Sequence, residues 1–221
     1  MAKIYLEPIP DTWLPTQDAR LIGIDEVGRG PLVGPLVAAG VVLPLDAELP
    51  SNLRDSKKLS PAAREQIDRE LRAIEGIEIF LEEVTPSEID RIGIGAANLR
   101  AFRAILDRAN AAIAIVDGDL FFEHPGTLVR SEVRGERFAP VAAASIIAKV
   151  YRDRLIAQLD VELPGRGFAS AGYPTPSNIA AVRSHGPTAH HRRSFLKRIL
   201  AGDRPKRPTP VEAPVEESLA D

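Results

Sequence analysis

The segment that most narrows the fold is Ala111 to Val116, AAIAIV, an unbroken apolar run that closes on Asp117-Gly118. An apolar run without polar alternation suits a strand covered on both faces, and such strands belong to sheets wrapped by helices. Leu21, Ile22 and Ile24 lead into Asp25 as another short strand, and Leu36 to Leu43 reads as a second one stopped by Pro44. Ile77 to Val84 alternates like a third, and Val129 to Val133 suits an edge strand. Helical spacing fills the gaps. Ser60-Pro61 opens a helix carrying Ile67, Leu71 and Ile74, with Gly76 ending it. Thr85-Pro86 opens a second helical stretch that breaks near Gly93 to Gly95 and runs to about Arg108. Ala142 to Leu159 is a long helix, and Asn178 to Ser184 and Ser194 to Leu200 are shorter ones. Paired strands followed by strands alternating with helices predict an α/β domain with a mixed sheet.

The chain has 221 residues. Residues 1–19 lack clear periodicity and are expected to form a loose arm. Residues 20–200 carry the folded unit, and from Ala201 a Pro-, Glu- and Ala-rich tail buries too little to order itself. The absence of cysteine excludes a disulfide framework, a thiolate metal site and a cysteine nucleophile. Pro31 to Leu45, the longest nonpolar stretch, is broken by Gly and Pro and falls short of the roughly 18 residues of a membrane span. With no signal-like N-terminus, a cytoplasmic protein without a membrane partner is expected. The net charge of −3 argues against an indiscriminate nucleic-acid binder. It hides a gradient: eight basic residues lie between Arg183 and Arg207 against one acid, Asp203. That stretch reads equally as a solvated helix surface or a face for phosphate.

Chemistry concentrates in three places. In GIDEVGRG, residues 23–30, Asp25 and Glu26 end an apolar strand. Neighbours on a strand point to opposite faces, so both meet one site only where the strand turns. Taken alone, the pair reads first as solvated acids; a divalent cation would offset their repulsion if both were drawn into one site. Gly28-Arg29-Gly30 lets main chain approach a ligand closely. A dinucleotide fingerprint fails, because the next glycine is Gly34 and Pro31 stands where the helix would start. The second place is Asp55-Ser56-Lys57-Lys58, before the helix opened by Ser60, where two lysines and a hydroxyl suit a phosphate oxygen. The third is Asp117 at the end of the buried strand, where α/β sheets present functional groups.

Together GIDEVGRGPLVG, RDSKKLS, VDG, AAASIIAKVYRDRL and GYPT…HGPTAHHRRSF resemble bacterial ribonuclease HII, the type 2 ribonuclease H, over about Leu21 to Leu200. The resemblance implies a ribonuclease H-like fold, a mixed five-stranded sheet flanked by helices with a helical C-terminal region. It implies a monomeric endonuclease that cuts the RNA strand of RNA–DNA duplexes, single embedded ribonucleotides included, leaving 5′-phosphate and 3′-hydroxyl ends. It also implies four carboxylates around two ions, Mn²⁺ or Mg²⁺. By motif, Asp25, Glu26 and Asp117 are similar to the first three carboxylates. The main chain of Gly28, Arg29 and Gly30 would read the ribose 2′-OH. Ser56, Lys57 and Lys58 would meet phosphates, and Tyr173 would stack on the sugar beyond the ribonucleotide. The sequence departs from the family where a Gly-Asp pair usually precedes AAASI. Here Gly135-Glu136 stands in a segment one residue shorter, which makes Glu136 the expected fourth carboxylate. Asp153, well inside the long helix, is expected to pair with Lys149 instead. Asn178 occupies a position that is often His in the family. His185, His190 and His191 then read as loop or structural residues. Two rivals remain at this point: a noncatalytic or weakly active hybrid-binding module, and a same-fold nuclease acting on DNA junctions.

Overall fold

The computed structural model describes residues 6–14, 16, 19–53, 56 and 59–201. Lys57, Lys58 and the tail from Gly202 lie outside these residues. Five strands, β1 (Leu21–Val27), β2 (Leu36–Val42), β3 (Glu78–Val84), β4 (Ile113–Asp117) and β5 (Leu128–Glu132), form one sheet in the order β3-β2-β1-β4-β5. The pairs β1–β2 and β2–β3 are antiparallel, whereas β1–β4 and β4–β5 are parallel. The sheet is therefore mixed, with the β5 segment on its edge as its partly polar sequence suggests.

Among the described residues there are six α-helices: α1 (Pro61–Arg72), α2 (Pro86–Ile92), α3 (Ile94–Ala109), α4 (Ala139–Glu162), α5 (Pro176–His185) and α6 (Arg193–Leu200). Their starts follow local chemistry. Ser60, Thr85 and Thr175 each accept a main-chain N–H from the third residue on, each followed by proline in the first turn. One face of the sheet packs Ile22, Ile24, Ala114 and Val116 against Phe102 and Ile105 of α3. The other packs Val37, Ala39 and Val41 against Ala143 and Ile147 of α4 and Ile67 of α1. Pro140 to Ala148 is buried without a break, so α4 is a core helix rather than a surface one. Its small residues let it lie close on the sheet. At Gly23 a β-carbon would run into the main chain of Pro140 and Val141. A third cluster, with Leu32, Val33, Ile156, Phe168, Val182 and Leu196, seats α5 and α6 beside the far part of α4.

Two expectations change. The long helix begins at Ala139, not Ala142, because Pro140 fits the first turn where its missing N–H costs nothing. Residues 1–19 were expected to be loose, but their described part is docked. Glu7 N–H donates to the Arg137 carbonyl at 2.8 Å, and Trp13 packs edge-on to Phe138 with Arg130 over its ring. One indole against a buried ring anchors a segment that has no periodic pattern of its own.

Candidate active site

Asp25 is 9% exposed, and Asp117 closes the neighbouring parallel strand. The register pairs Gly23 with Ile115, which carries Asp25 and Asp117 to equivalent places on one face. That face is the α4 side. Asp25 meets the Ser145 hydroxyl of α4, and Asp117 Oδ1 accepts the Gly135 N–H at 2.7 Å just before α4. Glu26 goes to the other face, where Asn98 of α3 favours its charged form and Arg29 lies 3.5 Å away. The sheet explains the split: β1 stays regular through Val27, so the turn that would have joined the two acids does not occur between them. The three carboxylates still feel one another. Burial, then Glu26 and Asp117, push Asp25 up to about 8, against the pull of Ser145 and the Glu26 N–H. Burial also raises Glu26, opposed by Arg29 and Asn98 and reinforced by Asp117.

Among the described residues no three His, Asp or Glu side chains converge into a ready metal cage. Asp25 and Asp117 nevertheless fit a small hard cation. Mg²⁺ is commonly held by one or two carboxylates, with water and substrate phosphate completing its shell. A desolvated carboxyl held toward its neutral form by two other carboxylates is also the group that a cation stabilises most.

Glu136 lies in a short 3₁₀ turn, Gly135–Arg137, three residues before α4 begins. The turn presses the Gly135 main chain against Asp117, which brings Glu136 one residue from that contact. A second carboxylate, unremarked in the sequence, stands directly beside Asp117: Glu132 is its register partner on β5. Glu132 is engaged by Arg137 at 2.7 Å. Only the strand register reveals it. Asp153 pairs with Lys149 at 2.6 Å, with Arg64 at 3.6 Å, as expected for a helix-face acid.

Ser56, expected on a phosphate, has its hydroxyl engaged within the protein. It is 5% exposed and its hydroxyl bonds the Ser145 hydroxyl at 2.9 Å. Ser145 in turn meets Asp25, so Ser56 supports the carboxylate from behind. Asn98, 3% exposed on α3, was also missed; its signal is an amide on an otherwise apolar helix face.

Gly28 is buried at φ +93°, while Arg29 and Gly30 are exposed. Tyr173 is 43% exposed and adjoins this loop, since a β-carbon on Gly30 would lie 3.5 Å from its ring. Asn178, 1% exposed, donates to the carbonyls of Ala169 and Tyr173 at 2.6 and 2.8 Å, which seats the tyrosine. His191 is structural: Thr188 donates to its Nδ1, and burial holds it down to about 4. The basic stretch splits too. Arg192 is fully buried and Arg183 donates to the Ile199 carbonyl, while Arg193 and Lys197 are exposed.

A family model described as Ribonuclease HII matches residues 22–198. The chain is 44% identical over 191 residues to Ribonuclease HII of Magnetococcus marinus, covering 81% of this chain and 87% of that one. Among solved structures it is similar to the PCNA:RNase HII complex from Archaeoglobus fulgidus, with 31% identity, a TM-score of 0.65 and coverage of 78% and 93%. Bst-RNase HIII in complex with Mn²⁺ shares the fold, with a TM-score of 0.57, 19% identity and coverage of 83% and 70%.

Proposed function

The chain belongs to the ribonuclease HII family, an endonucleolytic hydrolase family, and we propose that it uses divalent metal to cut the RNA strand of RNA–DNA duplexes. The proposed substrates include single ribonucleotides embedded in DNA, and the products carry 5′-phosphate and 3′-hydroxyl ends. The observation that supports this best is the shared face of Asp25 and Asp117, with Asp25 desolvated at a strand end beside the Gly28–Gly30 loop. Asp25, Glu26, Asp117 and Glu136 are the proposed ligands of two Mn²⁺ or Mg²⁺ ions, with Asp25 central. When bound, such ions lower the pKa of water and neutralise charge developing on a phosphoryl oxygen.

The chain's own groups do the rest. Ser145, backed by Ser56, orients the Asp25 carboxylate; Asn98 and Arg29 steady Glu26. The main chain of Gly28, Arg29 and Gly30 reads the 2′-OH, a group that distinguishes RNA from DNA. Tyr173 stacks on the next sugar, and Lys57 and Lys58 bind phosphates. A second reading of the fourth ligand places it on Glu132, because that residue pairs with Asp117 across β4 and β5.

The test is a duplex carrying one ribonucleotide, assayed with and without Mn²⁺, against its 2′-deoxy counterpart. Cleavage is expected only with both metal and ribose, on the 5′-phosphate side described. Tyr173→Ala should lose more on this substrate than on a long hybrid. A duplex bound but left uncut would indicate a noncatalytic module, and cutting of the all-deoxy duplex would indicate a DNA nuclease.

A further inference from the structure

Arg152 and Arg192 are 0% exposed, yet their hydrogen bonds run to main-chain carbonyls. Arg152 donates to Val33 O at 2.8 Å, Pro35 O at 3.0 Å and Ala171 O at 3.1 Å. Arg192 donates to Gly34 O at 3.0 Å and Arg29 O at 3.2 Å. Burying a guanidinium is costly and is offset only by good hydrogen-bond geometry; Arg152 uses all three of its nitrogens, whereas Arg192 leaves Nη2 buried without a partner. Burial accordingly lowers the two groups to about 10 and about 9. Each fork sits beneath the glycine loop: a β-carbon on Gly28 would run into the Arg152 side chain.

The partner segment is strained. Ser170, Ala171 and Gly172 have φ of 52°, 54° and 75°, three left-handed residues in a row immediately before Tyr173. Non-glycine residues hold that conformation only where their surroundings over-determine it. Arg152 supplies one such constraint at Ala171, and the Leu32 N–H adds another at Gly172 O, 2.8 Å away.

We propose that Arg152 is a positioning residue for ribose selection. Its one guanidinium, seated on the carbonyls of residues 33, 35 and 171, sets the spacing between the Gly28–Gly30 loop and Tyr173. Arg192 holds the near side of that loop at residues 29 and 34. Neither cation touches substrate. The inference rests on the reading of the loop and Tyr173 as the ribose and junction readers. Lysine cannot replace Arg152, because a single ammonium lacks the planar fork that spans carbonyls of two segments.

The experiment compares Arg152→Lys with wild type in three measurements. On a duplex with one ribonucleotide, kcat/KM should fall about 100-fold, the scale of an ångström's misplacement. On a long hybrid it should fall no more than about threefold, since any register along the RNA strand serves there. The Mn²⁺-induced rise in Tm should be unchanged. Hydrogen exchange of the substrate-free protein is the arm independent of catalysis: residues 28–35 and 168–173 should lose protection together, while 21–25 keep theirs. Equal losses on both substrates, or exchange that leaves either segment protected, would overturn the proposal. A wild type that ignores the 2′-OH would sink the ribose reading, and the exchange result would then decide the tie alone. Arg192→Lys, taken through the same measurements, serves if Arg152→Lys does not fold.

Discussion

The ends of β1 and β4 and the loop beside them bury charge in opposite ways. At the strand ends, burial of Asp25 and then its repulsion by Glu26 and Asp117 push its carboxyl up to about 8. Beside them, Arg152 and Arg192 are also buried, but oriented carbonyls meet their forks. The first region raises its own energy in a way that a cation relieves. In the second, the Arg152 fork is fully satisfied by carbonyls and fixes a shape, with Arg192 leaving only its Nη2 unpartnered. A site that binds metal and a frame that positions substrate thus call for different electrostatics, even side by side.

The contrast breaks most visibly if Asp25 is neutral-tolerant. Asp25→Asn should lower cleavage by about 10³-fold or more, the scale of losing a group that stabilises transition-state charge. Duplex binding should persist, because removing an anion reduces repulsion of phosphate. Near-wild-type turnover in a gel assay would remove Asp25 from the mechanism. On the arginine side the loss is in stability. Arg152→Met strands three buried carbonyls, which costs about 3 kcal/mol. For a domain of this size that lowers Tm by on the order of 9 °C. An unchanged melting curve would mean that the carbonyls find other partners.

The edge of the carboxylate site can be sharpened with three variants assayed together. Glu136→Gln should reduce cleavage about 100-fold, within the range for losing a preorganised electrostatic group. Glu132→Gln and Asp153→Asn should each stay within about threefold, the latter losing its helix pair with Lys149 and its ion pair with Arg64 of α1. A large loss at Glu132 beside a small one at Glu136 would move the fourth ligand to β5.

The smallest effect tests the burial of Asp25 together with its repulsion by Glu26 and Asp117. Asp25 has an ordinary value of 3.8 and is held at about 8 in the fold. Below pH 4 it is protonated in both folded and unfolded chains and contributes nothing. Between about 4 and 8 the unfolded chain has released a proton that the folded chain retains, so stability falls as pH rises. Asp25→Asn never ionises and should therefore melt above wild type in chelator. The gap should open from pH 5 to pH 8.5 and reach at least ~3 °C, which is ~1 kcal/mol for this size. Mn²⁺ should close it. A gap that shrinks with rising pH would contradict the assigned burial.

Much of this contrast was half legible in the chain itself. The apolar run ending at Asp117 and the strand ending in Asp25 gave both strand-end acids, because alternation and burial leave a pattern two residues wide. Ser60, Thr85 and their prolines marked helix starts through a bond spanning three residues. Arg152 and Arg192 carried no such mark. Arg152 looks like a surface residue on a charged helix turn, and Arg192 like part of a basic patch. Their burial depends on α4, α5, α6 and the 29–35 loop closing on one another.

The sequence by itself determined most elements, the caps at Ser60 and Thr85, and the acids near the ends of β1 and β4, since these follow from contacts within a few residues. Only the tertiary structure decided that Asp25 and Glu26 face opposite layers, that Glu132 stands beside Asp117, and that the Ser56 hydroxyl serves Asp25 through Ser145. The reason is one of range. Local propensity acts along the chain, whereas strand register and the burial of a charge depend on which distant segment arrives to supply the partner.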